Sequence, residues 1–222
     1  MAMILKPAEL RVLGVLIEKC MTQPAYYPMT LNAITAAANQ KSNRHPVMQL
    51  TEGEIGAALH GLTEWQLVAQ APPDRSSRVN RFRHEVEQRL GWDSSERAIM
   101  AELMLRGPQT VGELRTRGSR MTRLDATDHV GEVLAGLAKA DPPMVVELPR
   151  QPGQSARRFA HLLGGEIEPT ATASVAIAPD AADTSSDQAG LAARVSALEE
   201  EVSSLRQAVS QLQAGREPDL RS

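Results

Sequence analysis

An internal repeat within residues 1–163 constrains the fold of this chain more than any other feature. Residues 53–62 (GEIGAALHGL) and 128–137 (DHVGEVLAGL) carry aliphatic side chains at the same helical positions, at a constant separation of 75 residues. The matched pairs are Ile55 and Val130, Leu59 and Leu134, and Leu62 and Leu137. One helix therefore occurs twice, which predicts two copies of one supersecondary unit.

Each copy has the same order of predicted elements. A helix opens the copy at residues 7–19 or 95–106, where aliphatic side chains recur at helical spacing. A short extended stretch and a second, shorter helix follow at 31–39 or 111–117. After the repeated third helix, two strand-like runs flank a turn rich in Pro and polar residues, and the closing runs share the related motifs RFRH and RFAH.

Helix, short strand, helix, helix and hairpin is the element order of a winged helix. We therefore predict a mainly α fold with small β-hairpin wings (α+β), made of two tandem winged-helix domains at residues 1–90 and 91–163. Each domain would contain a helix-turn-helix pair whose second member is the repeated helix. A single generic α+β domain is the alternative interpretation.

The segment after the repeat has a different composition. Residues 164–188 are mainly Ala, Thr, Ser, Pro and Asp without helical periodicity, and they predict a disordered linker. In residues 189–214 aliphatic side chains return at alternating spacings of four and three, which predicts a coiled-coil helix. The heptad positions are Leu191, Val195, Leu198, Val202, Leu205, Val209 and Leu212.

Val at every a position and Leu at every d position favour a parallel two-stranded coil, and hence a homodimer. The flanking charges agree, because Arg194 would face Glu199 of the partner helix. The alternative is a single amphipathic helix lying on its own chain. Strict heptad spacing together with complementary charges favours the dimer.

Composition bears on the compartment and on the kind of ligand. The single cysteine, Cys20, cannot form an internal disulfide, and no signal peptide is apparent before the first apolar run. The longest such run, residues 12–17, is too short to cross a bilayer. We therefore expect a cytoplasmic protein without membrane contact. Aromatic residues make up only 3% of the chain, which disfavours a small-molecule sensor with an aromatic-lined pocket.

Four segments carry a family resemblance. They are residues 31–48 (LNAITAAANQKSNRHPVM), 11–19 (RVLGVLIEK), 26–28 (YYP) and 103–110 (LMLRGPQT). With these motifs the chain resembles the YceH-like family of bacterial proteins over about residues 5–163. The resemblance implies a tandem winged-helix fold and a coiled-coil-like C-terminal segment. It implies no activity and no catalytic or binding residues.

The motifs that would indicate an enzyme are missing from the sequence. There is no Gly-rich phosphate loop, no Gly-x-Ser-x-Gly turn and no Cys/His cluster with metal-ligand spacing. His60 and Glu64 lie four residues apart but lack a third ligand, and we expect His84, His161 and Cys20 to be structural. We therefore predict a non-enzymatic protein with no catalytic residues, no metal and no cofactor.

Nucleic-acid binding is the interpretation that we favour slightly, as a regulatory or architectural factor bound to double-stranded DNA. Residues 1–163 carry a net charge of +3, whereas residues 164–222 carry −6. The turns before the two repeated helices, and the wings, hold basic and amide side chains suited to phosphates and bases. The candidates are Lys41, Asn43, Arg44, His45, Arg75, Arg78, Arg81, Arg83, Arg120, Arg123 and Arg157. For each, the simpler interpretation is a solvated charge held by a neighbouring acid.

The repeated helices themselves argue against DNA. Residues 51–60 contain two acids and no Lys or Arg, and residues 125–136 contain three acids and again no base. Thr51 with Glu54 fits a capping box, so the first-turn acids also have a structural explanation. The alternative function is therefore a protein–protein interaction adaptor whose winged helices dock an unknown protein without direct DNA contact.

Overall fold

The structure is a computed structural model that describes residues 3–72, 79–150 and 156–165. The chain divides into two units, Met1–Thr170 and Ala171–Ser222. The predicted coiled-coil segment at 189–214 lies outside the described residues, as does the predicted linker at 164–188 apart from its first two residues.

The first unit is a mixed α+β structure with the predicted order of elements. In the first half of the repeat the elements are α1 (Pro7–Thr22), a 3-10 helix (Pro24–Tyr26), β1 (Met29–Thr30), α2 (Leu31–Ala38), α3 (Glu52–Glu64), β2 (Val68–Gln70) and β3 (Arg81–His84). A short helix, α4 (Val86–Leu90), connects the halves. In the second half they are α5 (Ser94–Arg106), β4 (Gln109–Thr110), α6 (Val111–Gly118), α7 (Thr127–Lys139), β5 (Val145–Glu147) and β6 (Arg158–His161).

Each half closes with a small antiparallel sheet, and the two sheets have the same topology. The strand orders are β1-β3-β2 and β4-β6-β5. The registers also correspond, because Phe82 pairs with Met29 while Phe159 pairs with Gln109. Both phenylalanines pack against the apolar core, as expected from the alternation of side chains along a strand.

Side-chain caps account for several helix starts. The Thr51 hydroxyl accepts the Glu54 amide at 3.3 Å, and the Glu54 carboxylate accepts the Thr51 amide at 2.8 Å, which confirms the predicted capping box of α3. The same reciprocal pair joins Thr110 and Glu113 at the start of α6. α5 ends at Gly107, whose φ of 77° is favourable only for glycine.

The two halves share one hydrophobic core. α1 is buried along most of its length and makes more contact with α5 than with any other element. Gly14 permits this approach, since a Cβ added there would lie 3.0 Å from the Leu105 side chain. The ends of the repeat also meet, because the Leu5 amide donates to the Leu163 carbonyl at 2.7 Å. The predicted domain boundary at 90/91 thus falls between α4 and α5, inside a single compact unit.

Among the helices in the described ranges, none is long and apolar enough to cross a membrane.

Candidate nucleic-acid interface

The turn between α2 and α3, residues 39–51, holds four of the predicted contacts, and Arg44 is the best defined of them. Its side chain is fully buried, with a relative exposure of 0%. Its two terminal nitrogens donate to the Glu18 carboxylate of α1 at 3.2 and 2.5 Å, and Nε donates to the Ala37 carbonyl at 3.2 Å. A phosphate outside the protein cannot reach a guanidinium in this position. The prediction that Arg44 contacts nucleic acid from the surface of the turn is therefore corrected to a structural role.

Arg11 of α1 supports the same turn and was not singled out from the sequence. It is 2% exposed and donates to the Ala38 carbonyl at 3.0 Å and to the Pro46 carbonyl at 2.6 Å. The last carbonyls of a helix lack intrahelical partners, so Arg11 and Arg44 together cap the C-terminus of α2. Burial, and then the Arg44 charge, lower the pKa of Arg11 to about 10. An arginine directly before the apolar run of residues 12–17 is the only sequence signal for this role.

The remaining polar residues of the turn divide into anchored and exposed groups. Asn43 has a φ of 58°, in the left-handed region, and its side-chain oxygen accepts a hydrogen bond from Arg106 of α5. The His45 amide donates to the Leu105 carbonyl at 2.8 Å, while the His45 side chain is exposed. The Lys41 side chain is exposed too and forms no ion pair with the described residues. The backbone of the turn is thus fixed against α5, with Lys41 and His45 projecting from it.

In the wing of the first half, the candidate arginines that the structure describes are already bonded to other groups of the protein. Arg75 and Arg78 lie outside the described residues. Arg81 is half-buried and donates to the Pro28 carbonyl at 3.1 Å, which ties β3 to the segment before β1. Arg83 is exposed and pairs with Glu85 at 2.7 Å.

The candidates of the second half are all paired with acids. Arg120, in the turn between α6 and α7, lies 2.6 Å from Glu18 and 2.8 Å from Glu102. Arg123 pairs with Asp125 at 2.5 Å, and Arg157 pairs with Glu147 at 3.1 Å.

Of the six candidate arginines that the structure describes, five therefore lie in ion pairs, and only Arg81 bonds to a carbonyl instead. The exposed pairs are weak and can exchange their acid for a phosphate. The buried Arg44 cannot, because leaving Glu18 would strand two buried charges.

The exposed face of α3 differs sharply from a DNA-reading surface. Glu52, Gly53, Ala57, His60 and Glu64 are exposed there. α3 contains no Lys or Arg, and two of its acids lie in the first turn. His60 and Glu64 face each other at 3.6 Å on this surface.

The matching face of α7 has the same character. Asp128, Glu132, Ala135 and Gly136 are exposed, and the one basic Lys or Arg residue of the helix, Lys139, is its last residue. Across the described ranges, no group of three His, Cys, Asp or Glu side chains is placed to hold a metal ion.

His84 and His161 occupy matching places in the two sheets, paired with Val68 and Val145. Both ring nitrogens of His84 are buried, and no residue that the structure describes offers either of them a hydrogen-bond partner. Burial, and then the nearby Arg97 charge, lower the pKa of His84 to about 4, and burial lowers the pKa of His161 to about 4. Burial likewise raises the pKa of the half-buried Cys20 thiol. None of these groups is prepared for acid–base or nucleophilic chemistry at neutral pH.

Comparison with known proteins gives a family and no activity. Residues 5–154 match the family described as "Protein of unknown function, DUF480". A UPF0502 protein of Geobacter sulfurreducens is 53% identical over 166 residues, which cover 75% of each chain. A UPF0502 protein of Pelobacter propionicus is 46% identical over 96% of this chain and 94% of its own. One from Azoarcus sp. is 44% identical over 95% and 90%. The chain therefore belongs to the bacterial DUF480/UPF0502 family, in agreement with the YceH-like motifs of its sequence.

Proposed function

We propose that this chain is a non-enzymatic, dimeric, tandem winged-helix protein that docks another protein on the exposed faces of α3 and α7. The observation that carries the proposal is the chemistry of those two faces, which combine acids with small residues. This reverses the slight preference for DNA that the sequence suggests. The reason is that five of the six described candidate arginines are paired with acids of the protein.

The winged-helix part of the proposal rests on element order and sheet topology. Each half runs from helix to short strand, helix, helix and two strands, and each short strand joins the closing pair in a three-stranded sheet. In a winged helix the third helix is the one presented to a ligand. α3 and α7 take that place in the two halves.

Electrostatics then favours a protein over DNA as the ligand of these helices. A helix in the major groove brings its first turn close to phosphates and base edges. Here the first turn of α3 carries Glu52 and Glu54, and that of α7 carries Asp128. Carboxylates at these positions repel a phosphate backbone, and no lysine or arginine in the first turns compensates for them. A protein surface with lysine or arginine side chains suits the same faces.

Dimerisation is proposed from the heptads at 189–214, which would bring four winged helices together and raise the avidity for a repeated partner. In light scattering, the full chain should have the mass of a dimer, and chains truncated after Gly164 should have the mass of one truncated chain. A truncated chain with twice its own monomer mass would contradict the coil as the dimer contact.

DNA binding is tested first, by fluorescence polarisation of a labelled random duplex with the full chain over a salt series. Binding through phosphate contacts weakens as the salt concentration rises. We expect the full chain to show no binding of this kind. Clear salt-dependent binding by the wild type that is lost in Lys41→Ala would overturn the protein-docking proposal. It would support the second candidate function, DNA contact through Lys41 and His45, which is favoured by their exposure on a fixed turn.

Protein docking is tested with a photo-crosslinking residue at Ala57, on the exposed face of α3, in cells of the source bacterium. The matched control carries the same residue at Gln88, which is exposed on α4. We expect one discrete adduct at Ala57 that excess unlabelled wild type prevents and Glu52→Lys weakens. Equal adduct patterns at Ala57 and Gln88 would contradict a docking role for α3.

A further inference from the structure

We propose that Glu18 couples the two turns of the repeat, so that residues 39–51 and residues 119–126 loosen together. The coupling passes through five charged side chains, defined here as the Glu18 cluster: Glu18, Glu102, Arg44, Arg106 and Arg120. It does not depend on which partner the helices bind, so it goes beyond the proposed function.

One carboxylate oxygen is shared between the turns. Oε1 of Glu18 accepts from Arg44 of the first turn at 3.2 Å and lies 2.6 Å from Nη2 of Arg120 in the second turn. The other oxygen, Oε2, accepts from Arg44 at 2.5 Å. Arg44 and Arg120 both lie in the turn after the second helix of their half, Arg44 six residues after α2 and Arg120 two residues after α6. A single α1 carboxylate therefore holds the turns of both halves.

Arg120 also links Glu18 to a second buried carboxylate. Its Nη2 lies 2.8 Å from Oε1 of Glu102, and its Nε donates to the same oxygen at 3.2 Å. The other oxygen of Glu102 faces Nε of Arg106 at 3.2 Å. The side chains of Glu18 and Glu102 are 1% and 0% exposed, whereas that of Arg120 is 33% exposed. Arg120 is thus the member of the cluster through which an outside ligand can act.

Release of Arg120 affects both carboxylates at once. A buried carboxylate is stable only while it is paired and hydrogen-bonded. Burial disfavours the ionised form of Glu18, but the bonds and charges of Arg44 and Arg120 outweigh burial and lower its pKa. Without Arg120, Glu18 retains Arg44 alone and Glu102 retains Arg106. Oε1 of Glu18 then loses its shorter contact, and the position of the first turn depends on the Arg44 bonds alone.

The first turn has a further attachment to the second half that would respond. The His45 amide donates to the Leu105 carbonyl at 2.8 Å, and Arg106 donates to Asn43. Within the turn, the Leu50 amide donates to the Asn39 side chain at 2.7 Å. The His45 and Leu50 amides are therefore protected by hydrogen bonds that break when residues 39–51 open, and their exchange measures that opening.

The consequence is regulation between halves. An acidic or phosphate group that draws Arg120 outward at the second turn loosens the first turn, which precedes α3. By reciprocity, a ligand that holds the first turn in place strengthens the contacts of Arg120.

The test is amide hydrogen exchange by NMR on the full chain, comparing Arg120→Ala with Arg123→Ala. Arg123 belongs to the same turn and also forms an ion pair, but its side chain is 88% exposed and does not touch Glu18. We expect Arg120→Ala to accelerate exchange at His45 and Leu50 about tenfold. Arg123→Ala should leave both amides unchanged, and Arg120→Lys, which keeps a charge near Glu18, should give a smaller increase.

A reference amide separates coupling from general destabilisation. The Leu162 amide, just after β6, donates to the Met144 carbonyl, just before β5, at 2.8 Å, and neither residue belongs to the cluster. Its exchange should increase less in Arg120→Ala than the exchange of His45 and Leu50. Unchanged exchange at His45 and Leu50, an equal increase in Arg123→Ala, or an equal increase at Leu162 would each overturn the proposal.

Discussion

Thirteen residues join α2 to α3 in the first half, whereas eight residues join α6 to α7 in the second. The sheets and helices around these turns correspond closely, down to the same strand register. The added residues of the first turn pack on α5, through the His45 amide and Asn43, instead of extending into solvent. The comparison teaches that the halves differ in the turns, where they meet, and agree in the sheets and in the helices around them.

The largest expected effect concerns His84 and His161, which occupy matching positions in the two sheets. Above pH 6.5 both histidines are neutral in the folded and unfolded chain. Below pH 6.5 the two histidines become protonated in the unfolded chain, whereas in the folded chain they stay neutral down to about pH 4. Stability is therefore lost as the pH falls from about 6.5 to 4, by about 3 kcal/mol for each histidine.

Urea unfolding of the wild type and of His84→Leu and His161→Leu at neutral and acidic pH checks this. Each variant should lose its share of the pH dependence, while His60→Asn, at an exposed site, should behave as the wild type. Carboxylates also titrate in this range, so the difference between variant and wild type is the measured quantity. A pH dependence that neither leucine variant reduces would contradict the burial of uncharged rings.

The second prediction tests where the halves differ, at Arg44 and Arg120. Arg44→Ala should lower the free energy of unfolding by about 3 kcal/mol, because it leaves a fully buried carboxylate with fewer partners. Arg120→Ala should cost about 1 kcal/mol, because its side chain is 33% exposed and water can replace it. Denaturant unfolding at neutral pH gives both values. An equal loss of unfolding free energy in Arg44→Ala and Arg120→Ala would contradict this difference between the two turns.

The fold was largely predictable from the sequence, and the reason is periodicity. Aliphatic positions 75 residues apart and the RFRH and RFAH motifs report residues that face a core, and a core imposes regular spacing. The α+β class and the order of elements were therefore confirmed. The short helix α4 was not predicted, because five residues are too few to reveal a helical period.

The candidate site was less predictable, because contacts between distant residues leave no periodic signal. Arg44 looked like an exposed charge in a polar loop, yet its partner Glu18 lies 26 residues earlier on an apolar helix. Arg120 finds the same carboxylate from the other half of the chain. Sequence alone gives the charge of such residues, while burial, which decides whether a phosphate can reach them, is a property of the assembled halves.

A smaller effect distinguishes the two repeated helices, at Gly61 of α3 and its counterpart Gly136 of α7. A methyl group at Gly61 would run into the Glu9 carboxylate, which is buried and also accepts the Lys6 amide at 2.7 Å. Gly61→Ala should therefore destabilise the chain by about 1 kcal/mol. Gly136 has open space where a methyl would go, so Gly136→Ala should stabilise it by about 0.8 kcal/mol through helix propensity. Thermal unfolding shifts of the same sign in both variants would contradict this contrast.

The smallest expected effect concerns the starts of the same two helices. α3 begins with the Thr51 capping box, whereas the N-cap of α7 is Ala126, which provides no side-chain acceptor although its φ and ψ of −125° and 146° suit a cap. Thr51→Ala should cost about 1 kcal/mol, and Ala126→Ser should contribute about 0.5 kcal/mol by accepting a first-turn amide. Both values follow from chemical denaturation, with Thr127→Ser as a control that leaves the N-cap residue unchanged. If Ala126→Ser has no effect, the first turn of α7 is already satisfied by water, and the halves differ less at their presented helices than at their turns.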